Sequence, residues 1–445
     1  MCSRAPSPRN PQRAFAVVGP AAAWLLAVIS STSALAAEGY FQNAIGAREK
    51  ALAGAGVASS TDATAASLNP AGLVNVESQV DVAASFLSLR GGFTSSGMGG
   101  IDADGHYDSN PGWTVIPNLA ATWRVNWGFV DAVALTAYGN GGVNTKYKDV
   151  ANPSCPPGMS GVFCGGALGV KLAQSFYSVA FAKQILPGIS VGVAPIVARQ
   201  TGKLDGVGAF AGFSIDPAHF SNQGTDDSWG IGARGGIEWK ITRDIRVGVS
   251  GNAPIHMGNF EKYRGLLAEQ GGFNVPGTLQ AGVAVDLMQN VTLMADYKRI
   301  WFGAIASVGN PSTNFLLGNP FGADNGAGFG VQDVDVIKVG LEWRRSPGLT
   351  LRAGYSYNTA PISSRDVDLN IMTLGVVQHH VTGGLKYQVT QNLDLELAAM
   401  YAPRASVTGT ELGAPLRTVE IEMSQFEFTV GAVYRFGSRQ PEPLK

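Results

Sequence analysis

Charge is scarce in this chain. Asp, Glu, Lys and Arg make up 15% of its 445 residues, 32 basic against 33 acidic, and no block of one sign stands out. That excludes the basic face on which nucleic-acid binding depends. Histidine is rarer still, and His106, His219, His256, His379 and His380 show no metal-ligand spacing. On a strand, the adjacent His379 and His380 point to opposite sides and do not share a metal easily. Neither H-E-x-x-H nor G-x-x-x-x-G-K-[ST] occurs, which leaves zinc-protease and P-loop chemistry without their residues. Beyond residue 36 there is no apolar run near the ~20 residues that a transmembrane helix needs.

The N-terminus has the composition of a targeting leader. Arg4, Arg9 and Arg13 form a basic start, Ala14 to Ile29 an apolar stretch, and Ala34-Leu35-Ala36 an A-x-A cleavage signal. Cleavage is expected after Ala36, within one residue, so residues 1–36 are set aside as a signal peptide. The leader carries three basic and no acidic residues, which leaves 29 basic against 33 acidic residues, a balance of −4. Of three cysteines, Cys155 and Cys164 remain, in NPSCPPGMSGVFC. An oxidising compartment favours a disulfide between them. The alternative, a metal pair, has no histidine nearby.

From residue 80 onward, segments of about ten residues alternate between apolar and polar side chains. Fourteen such strands are expected, near 80–91, 113–125, 129–140, 171–185, 189–201, 228–241, 245–255, 277–288, 291–302, 334–345, 349–358, 379–389, 393–402 and 424–436. In one of them Leu393, Leu395, Leu397, Ala399 and Tyr401 oppose Asp394, Glu396, Ala398 and Met400. Period two assigns each set to one face. A soluble sandwich also alternates, but three features favour a membrane barrel. Aromatics such as Trp229, Trp239, Tyr401 and Tyr434 sit near strand ends. Connections alternate between turns of two or three residues and long loops (141–170, 202–227, 303–333, 403–423). The last strand closes on Tyr434-Arg435-Phe436. The expected fold is therefore an all-β transmembrane antiparallel barrel over 80–436, with a polar tail at 437–445. Residues 37–79, rich in Ala, Gly, Ser and Thr, lack this grammar. A barrel of this width needs a plug if it is not to leak, and we assign that segment to the lumen.

Gly46 to Leu73, GAREKALAGAGVASSTDATAASLNPAGL, resembles the N-terminal hatch of the FadL/TodX family of outer-membrane transporters, in which Asn69-Pro70-Ala71 matches a family motif. The segments 275–302, 351–362 and 379–402 resemble later strands of the same family. The resemblance implies a barrel of 14 strands with a hatch, and passive uptake of long-chain fatty acids or aromatic and aliphatic hydrocarbons. Ligand is captured at outer loops, held in a lumenal pocket, and released through a gap where the third strand is kinked. Here that strand is read as ending in Tyr138-Gly139-Asn140-Gly141-Gly142, with a plain loop start preferred to a kink.

Transport of this kind needs an apolar capture site and a gate, and no catalytic group, cofactor or metal. Phe260, Tyr263, Leu266 and Leu267 fall at near-helical spacing in loop 256–273 and form one apolar face. That face either contacts ligand from an exposed patch or packs on a neighbouring loop. Phe315, Leu316, Leu317 and Phe321 offer the same choice. A fatty-acid carboxylate would meet the inward cations Lys298, Lys338, Arg352 or Lys386, which otherwise pair with Asp296, Glu342 and Glu396. Asn69, Pro70 and Ala71 make a tight turn, and a gate role for them follows from the resemblance alone. Asp102, Asp104 and Asp108 read as an ordinary acidic loop before a calcium site. The partners expected are hydrophobic small molecules and outer-membrane lipid, and the chain is expected to act as a monomer. A general porin for polar solutes and an outer-membrane barrel enzyme are the competing readings.

Overall fold

The computed structural model describes residues 38–125 and 127–436. The expected leader and the polar tail lie outside the described residues. Fourteen long strands form the ring: β1 (Gln79–Gly97), β2 (Trp113–Arg124), β3 (Ala132–Tyr147), β4 (Leu168–Leu186), β5 (Ile189–Asp205), β6 (Asp226–Lys240), β7 (Ile245–Asn252), β8 (Thr278–Met288), β9 (Val291–Ile300), β10 (Val334–Ser346), β11 (Leu349–Asn358), β12 (His379–Gln388), β13 (Leu393–Glu411) and β14 (Ala414–Arg435). Two short strands, Gly105–Ser109 and His256–Met257, pair onto β1 and β6. Neighbours run antiparallel, and β14 pairs back onto β1 from Gln79 opposite Arg435 to Gly97 opposite Arg417. Closure removes the unpaired edges that lipid cannot solvate.

The alternation read from the sequence is the alternation of the wall. In β13, Asp394, Glu396, Ala398 and Met400 are buried, while Leu395, Leu397, Ala399 and Tyr401 are exposed. Trp229, Trp239, Trp343, Tyr401 and Tyr434 are exposed on the outer surface, with aliphatic side chains such as Ile231, Ile337 and Val381. Apolar outside and polar inside inverts a soluble core, and suits a bilayer around the ring. All fourteen expected strands are present, but two boundaries need correction. Residues 403–423, expected as a loop, continue β13 and β14 into a tight hairpin at Leu412-Gly413. The third strand does not end near residue 140; it runs to Tyr147, with a register shift between Gly139 and Gly141.

Most of residues 38–78 are buried against side chains from strands around the ring, with Thr61, Asn75 and Glu77 exposed. A short helix, α1 (Gly46–Ala51), contacts β11 to β14 and β1, and a 3-10 turn over Pro70–Asn75 contacts β3 to β6. Asn69 caps that turn: its Oδ1 accepts from Ala71 N at 3.1 Å, and its amide donates to Val57 O at 2.7 Å and Ile237 O at 3.1 Å. Pro70, at the first position of the turn, has no N–H to leave unpaired. Gly192 and Gly236 make this docking possible, because a Cβ on either would overlap the Asn69–Ala71 turn.

Candidate functional site

Under the long loops lies an apolar cavity of about 790 Å³, walled by Leu89, Val143, Leu172, Phe260, Leu267 and Phe329 among others. Its floor includes Gly39 and Tyr40 of the inner segment. Below Tyr40 the rings of Phe41, Phe273 and Phe302 pack with it at centroid distances of 5.0 to 5.8 Å. Beyond this aromatic partition is a second cavity of about 710 Å³, which Lys298, Lys338 and Arg234 help to line. The lumen thus passes from an apolar chamber to a charged one across a single layer of rings.

The wall is incomplete beside the partition. β2 and β3 pair only from Arg124 opposite Ala132 to Asn118 opposite Tyr138. Past that point β2 continues to Trp113 along β1, and β3 continues along β4. The free edge of β3 is taken by the inner segment instead. Gln42 N donates to Asn140 O at 3.1 Å, Gly142 N donates to Tyr40 O at 2.8 Å, and Gln42 Nε2 donates to Gly139 O at 2.6 Å. Gly141 is required here, because a Cβ would strike Tyr40 O. Pro117, which lacks an N–H, stands where β2 departs from β3. The plain loop start expected after Tyr138 is therefore wrong: glycines and a bulge let the strand bend away from β2 and continue.

The charged residues singled out from the sequence separate into two groups. Lys298 and Lys338 hold Glu38 at 2.7 and 2.6 Å, and Lys298 lies 5.9 Å from the Phe41 ring. Arg352, by contrast, is committed to Glu342 at 2.9 Å and Glu396 at 2.8 Å, and Lys386 faces Asp394 at 3.5 Å near the short-turn rim. Arg352 lines neither of these two cavities, and Lys386 lines a separate one of about 750 Å³ with Asp394 and Arg435. Asp296 accepts from the amides of Gly56 and Val57 at 2.8 and 2.9 Å.

Of the two readings left open for the loop face, packing is the one seen. Phe260, Tyr263, Leu266 and Leu267 are buried, not an exposed patch, because the outer loops fold over the lumen and turn this face inward. Phe260 and Leu267 reach the apolar cavity, Leu266 lines a smaller neighbouring one, and the Tyr263 hydroxyl donates to Gly224 O at 2.6 Å. Exposed apolar side chains of the outer loops include Phe213, Ile215, Leu316 and Leu317, with Phe213 5.4 Å from Phe315 between ring centroids. Phe213 and Ile215 were missed in the sequence, where they do not stand out from Leu204, Val207, Phe210 and Phe220 of the same loop. Phe315 and Phe321 are buried between these loops.

Cys155 and Cys164 form a disulfide with Cα atoms 5.3 Å apart. Asp102 is buried in the outer loops, whereas Asp104 reaches Arg417 at 3.4 Å and Asp108 reaches His106 at 3.3 Å. Asp216 is held down at about 2 by hydrogen bonds from Arg264 and His219. Gly188-Ile189-Ser190-Val191-Gly192 has G-x-S-x-G spacing, but it lies in the β4–β5 hairpin and not in the strand-to-helix turn of a nucleophile elbow.

A closed ring with an apolar, aromatic-bearing exterior and an ion-paired, self-filled lumen defines a transmembrane β-barrel. Solved structures share this fold. The toluene transporter TodX of Pseudomonas putida is 18% identical, with 89% of this chain and 100% of that one covered at a TM-score of 0.64. A FadL homologue of Pseudomonas aeruginosa is 13% identical, covering 90% and 100% at 0.66. The toluene transporter TbuX of Ralstonia pickettii is 16% identical, covering 89% and 99% at 0.58. No protein-family model matches the chain, and no curated protein matches it.

Proposed function

We propose that this chain is a passive outer-membrane channel for small hydrophobic molecules, working without catalysis. The observation that carries the reading is an apolar cavity lying beside an interruption in the β2–β3 ladder. Capture begins on Phe213, Ile215, Leu316 and Leu317, and the ligand then settles among Leu89, Leu172 and Phe260. Burial drives both steps at about 25 cal/mol per Å², so a ligand hiding on the order of 150 Å² gains about 4 kcal/mol. Residues 37–79 act as the hatch. Its lower part, with Asn69, Pro70 and Ala71, anchors it to the wall, and residues 38–45 move. When Tyr40 to Gln42 leave Asn140 to Gly142, the cavity opens sideways between β2 and β3 into lipid. The likeness in fold to proteins described as toluene transporters supports this reading.

A reversible lock tests it. With Gln42→Cys and Asn140→Cys together, oxidation should stop toluene uptake into proteoliposomes, and reductant should restore it. The same reductant should leave the unaltered chain, with Cys155–Cys164, transporting as before. Uptake that continues through the locked pair would defeat the lateral route.

A further inference from the structure

We propose that the outer wall of β3 to β5 carries a docking patch for the phosphorylated sugar head of a lipopolysaccharide molecule in the surrounding leaflet. The patch rests on the outer-membrane placement proposed above, and not on what passes through the lumen. Alternation turns Lys146, Lys171, Lys203 and Arg199 to the outside of the ring, and Lys148 follows just past the end of β3. Their strand neighbours Thr145, Leu172 and Leu204 are buried on the lumen side. Lys171 stands directly opposite Lys203 in the β4–β5 ladder, with Asn144 opposite it on the β3 side. Lys146 is close enough to Lys148, Lys203 and Lys171 to feel the charge of all three. Lys203 is met by Asp205 at 2.5 Å, and Arg199 by Asp227 at 3.7 Å. Lys146, Lys148 and Lys171 are exposed and make no ion pair among the described residues. Cations on other sectors are matched, Arg299 by Asp333 and Asp335 and Arg404 by Glu422. In a chain with no overall positive charge, the sector from β3 to β5 therefore holds a local excess of it.

Like charges directly opposite on a sheet repel, so Lys171 and Lys203 cost stability unless an anion lies between them. The level of the patch says which anion. Towards the short-turn rim, β4 has no outward charge before Lys183; Ala173, Ser175, Tyr177, Val179 and Phe181 intervene. From Lys171 to Lys183, at about 3.3 Å per residue and a tilt of about 35–45°, the strand rises about 30 Å, which is the apolar band with its margins. Trp229 lies opposite Arg199, with the guanidinium carbon 5.5 Å from its ring centre, and is exposed at the boundary where amphipathic rings settle. The lysines thus stand just above the hydrocarbon on the long-loop side, which faces out of the cell. Lipopolysaccharide places its phosphates at that depth. Neighbouring strands lie about 4.8 Å apart, so β3 to β5 spread their cations over about 10 Å, suited to a wide sugar head bearing more than one phosphate. Each ammonium is a point charge with three donors, and charge-assisted bonds to phosphate are the strong kind.

The test uses the full chain in detergent with EDTA, so that divalent cations do not bridge phosphates. Native mass spectrometry follows the binding of bisphosphorylated lipid A, of the same lipid stripped of phosphate, and of phosphatidylglycerol. Bisphosphorylated lipid A should bind at least ten-fold more tightly than either of the others. Lys146→Gln, Lys148→Gln and Lys171→Gln together should abolish that preference. The same three positions changed to Arg should keep it, as should Lys240→Gln at the other rim. Equal affinity of the Gln variant and the unaltered chain for lipid A would overturn the patch, as would equal binding of the lipid without phosphate. If phosphatidylglycerol bound as tightly as lipid A, the choice of lipopolysaccharide would be wrong. Density-gradient fractionation of producing cells checks the membrane separately: sedimentation with the inner membrane would overturn the outer-membrane placement, and the partner with it, whatever the binding result.

Discussion

Around the apolar cavity the contacts are between rings and aliphatic side chains; around the foot of the inner segment they are between charges. Arg48 meets Glu342 at 3.1 Å and Glu49 at 2.7 Å, Arg352 bridges Glu342 to Glu396, and Lys50 pairs with Glu427. Apolar packing is non-directional and tolerates a ligand of variable shape. Buried ion pairs add little net stability, yet losing one partner is costly, so they fix a position. The two regions thus divide the work between an adaptable chamber and a rigid anchor. Residues 38–42 lie where the two meet.

The sharpest way to break this division is to remove the shared acid of the anchor. Glu342→Ala leaves Arg48 and Arg352 short of a partner at a cost of about 3–5 kcal/mol. The lower part of the inner segment should loosen, and planar-bilayer recordings should show leak of small ions; a silent bilayer would show that the ion network does not seal the lumen. Phe260→Leu acts on the chamber instead. It should cost about 1–2 kcal/mol while admitting bulkier ligands, read as a changed ratio of naphthalene to toluene uptake. An unchanged ratio would separate that wall from selectivity. Asn69→Ala removes a cap and should cost about 1 kcal/mol, seen as faster exchange over 69–75 with no change at 38–45.

The smallest effect lies in the outer loops. Burial raises Asp368 to about 6, and burial beside Asp368 and Glu411 holds Asp102 well above the usual carboxylate range. Both groups favour the proton in the folded state. The stability they lend is present below the unfolded carboxylate value of about 4 and falls as pH rises above it, in the case of Asp368 through about 6. Protection factors over 98–104 and 364–374, corrected for the intrinsic rise of amide exchange with pH, should therefore be lower at pH 7.5 than at pH 5. Equal protection would mean that the loops do not feel these carboxyls.

The strands were legible because a bilayer outside and a polar lumen inside impose period two on each spanning segment. That contrast vanishes above the membrane, where water bathes one face and polar loops the other, and so 403–423 read as a loop although it is paired strand. The apolar face of Phe260 and Leu267 was visible as a pattern, but its direction was not, since a loop's periodicity does not say which way it folds. Glu38 gave no local signal at all. Its partners are 260 and 300 residues away, and only closure of the ring brings them together. Glycines on the polar faces of β5 and β6 read as weak alternation, whereas Gly192 and Gly236 are notches cut for the Asn69–Ala71 turn.

Two of the three bonds that cover the free edge of β3 run from main chain to main chain. Backbone groups are common to all residues but proline, so substitutions at positions 40 and 42 leave that patch in place while altering the rings and amides that sort ligands. On the channel reading, selectivity then changes without opening the seam. Proline at position 42 is the exception: it deletes a donor from the seam and should yield a barrel that sheds its cargo continuously.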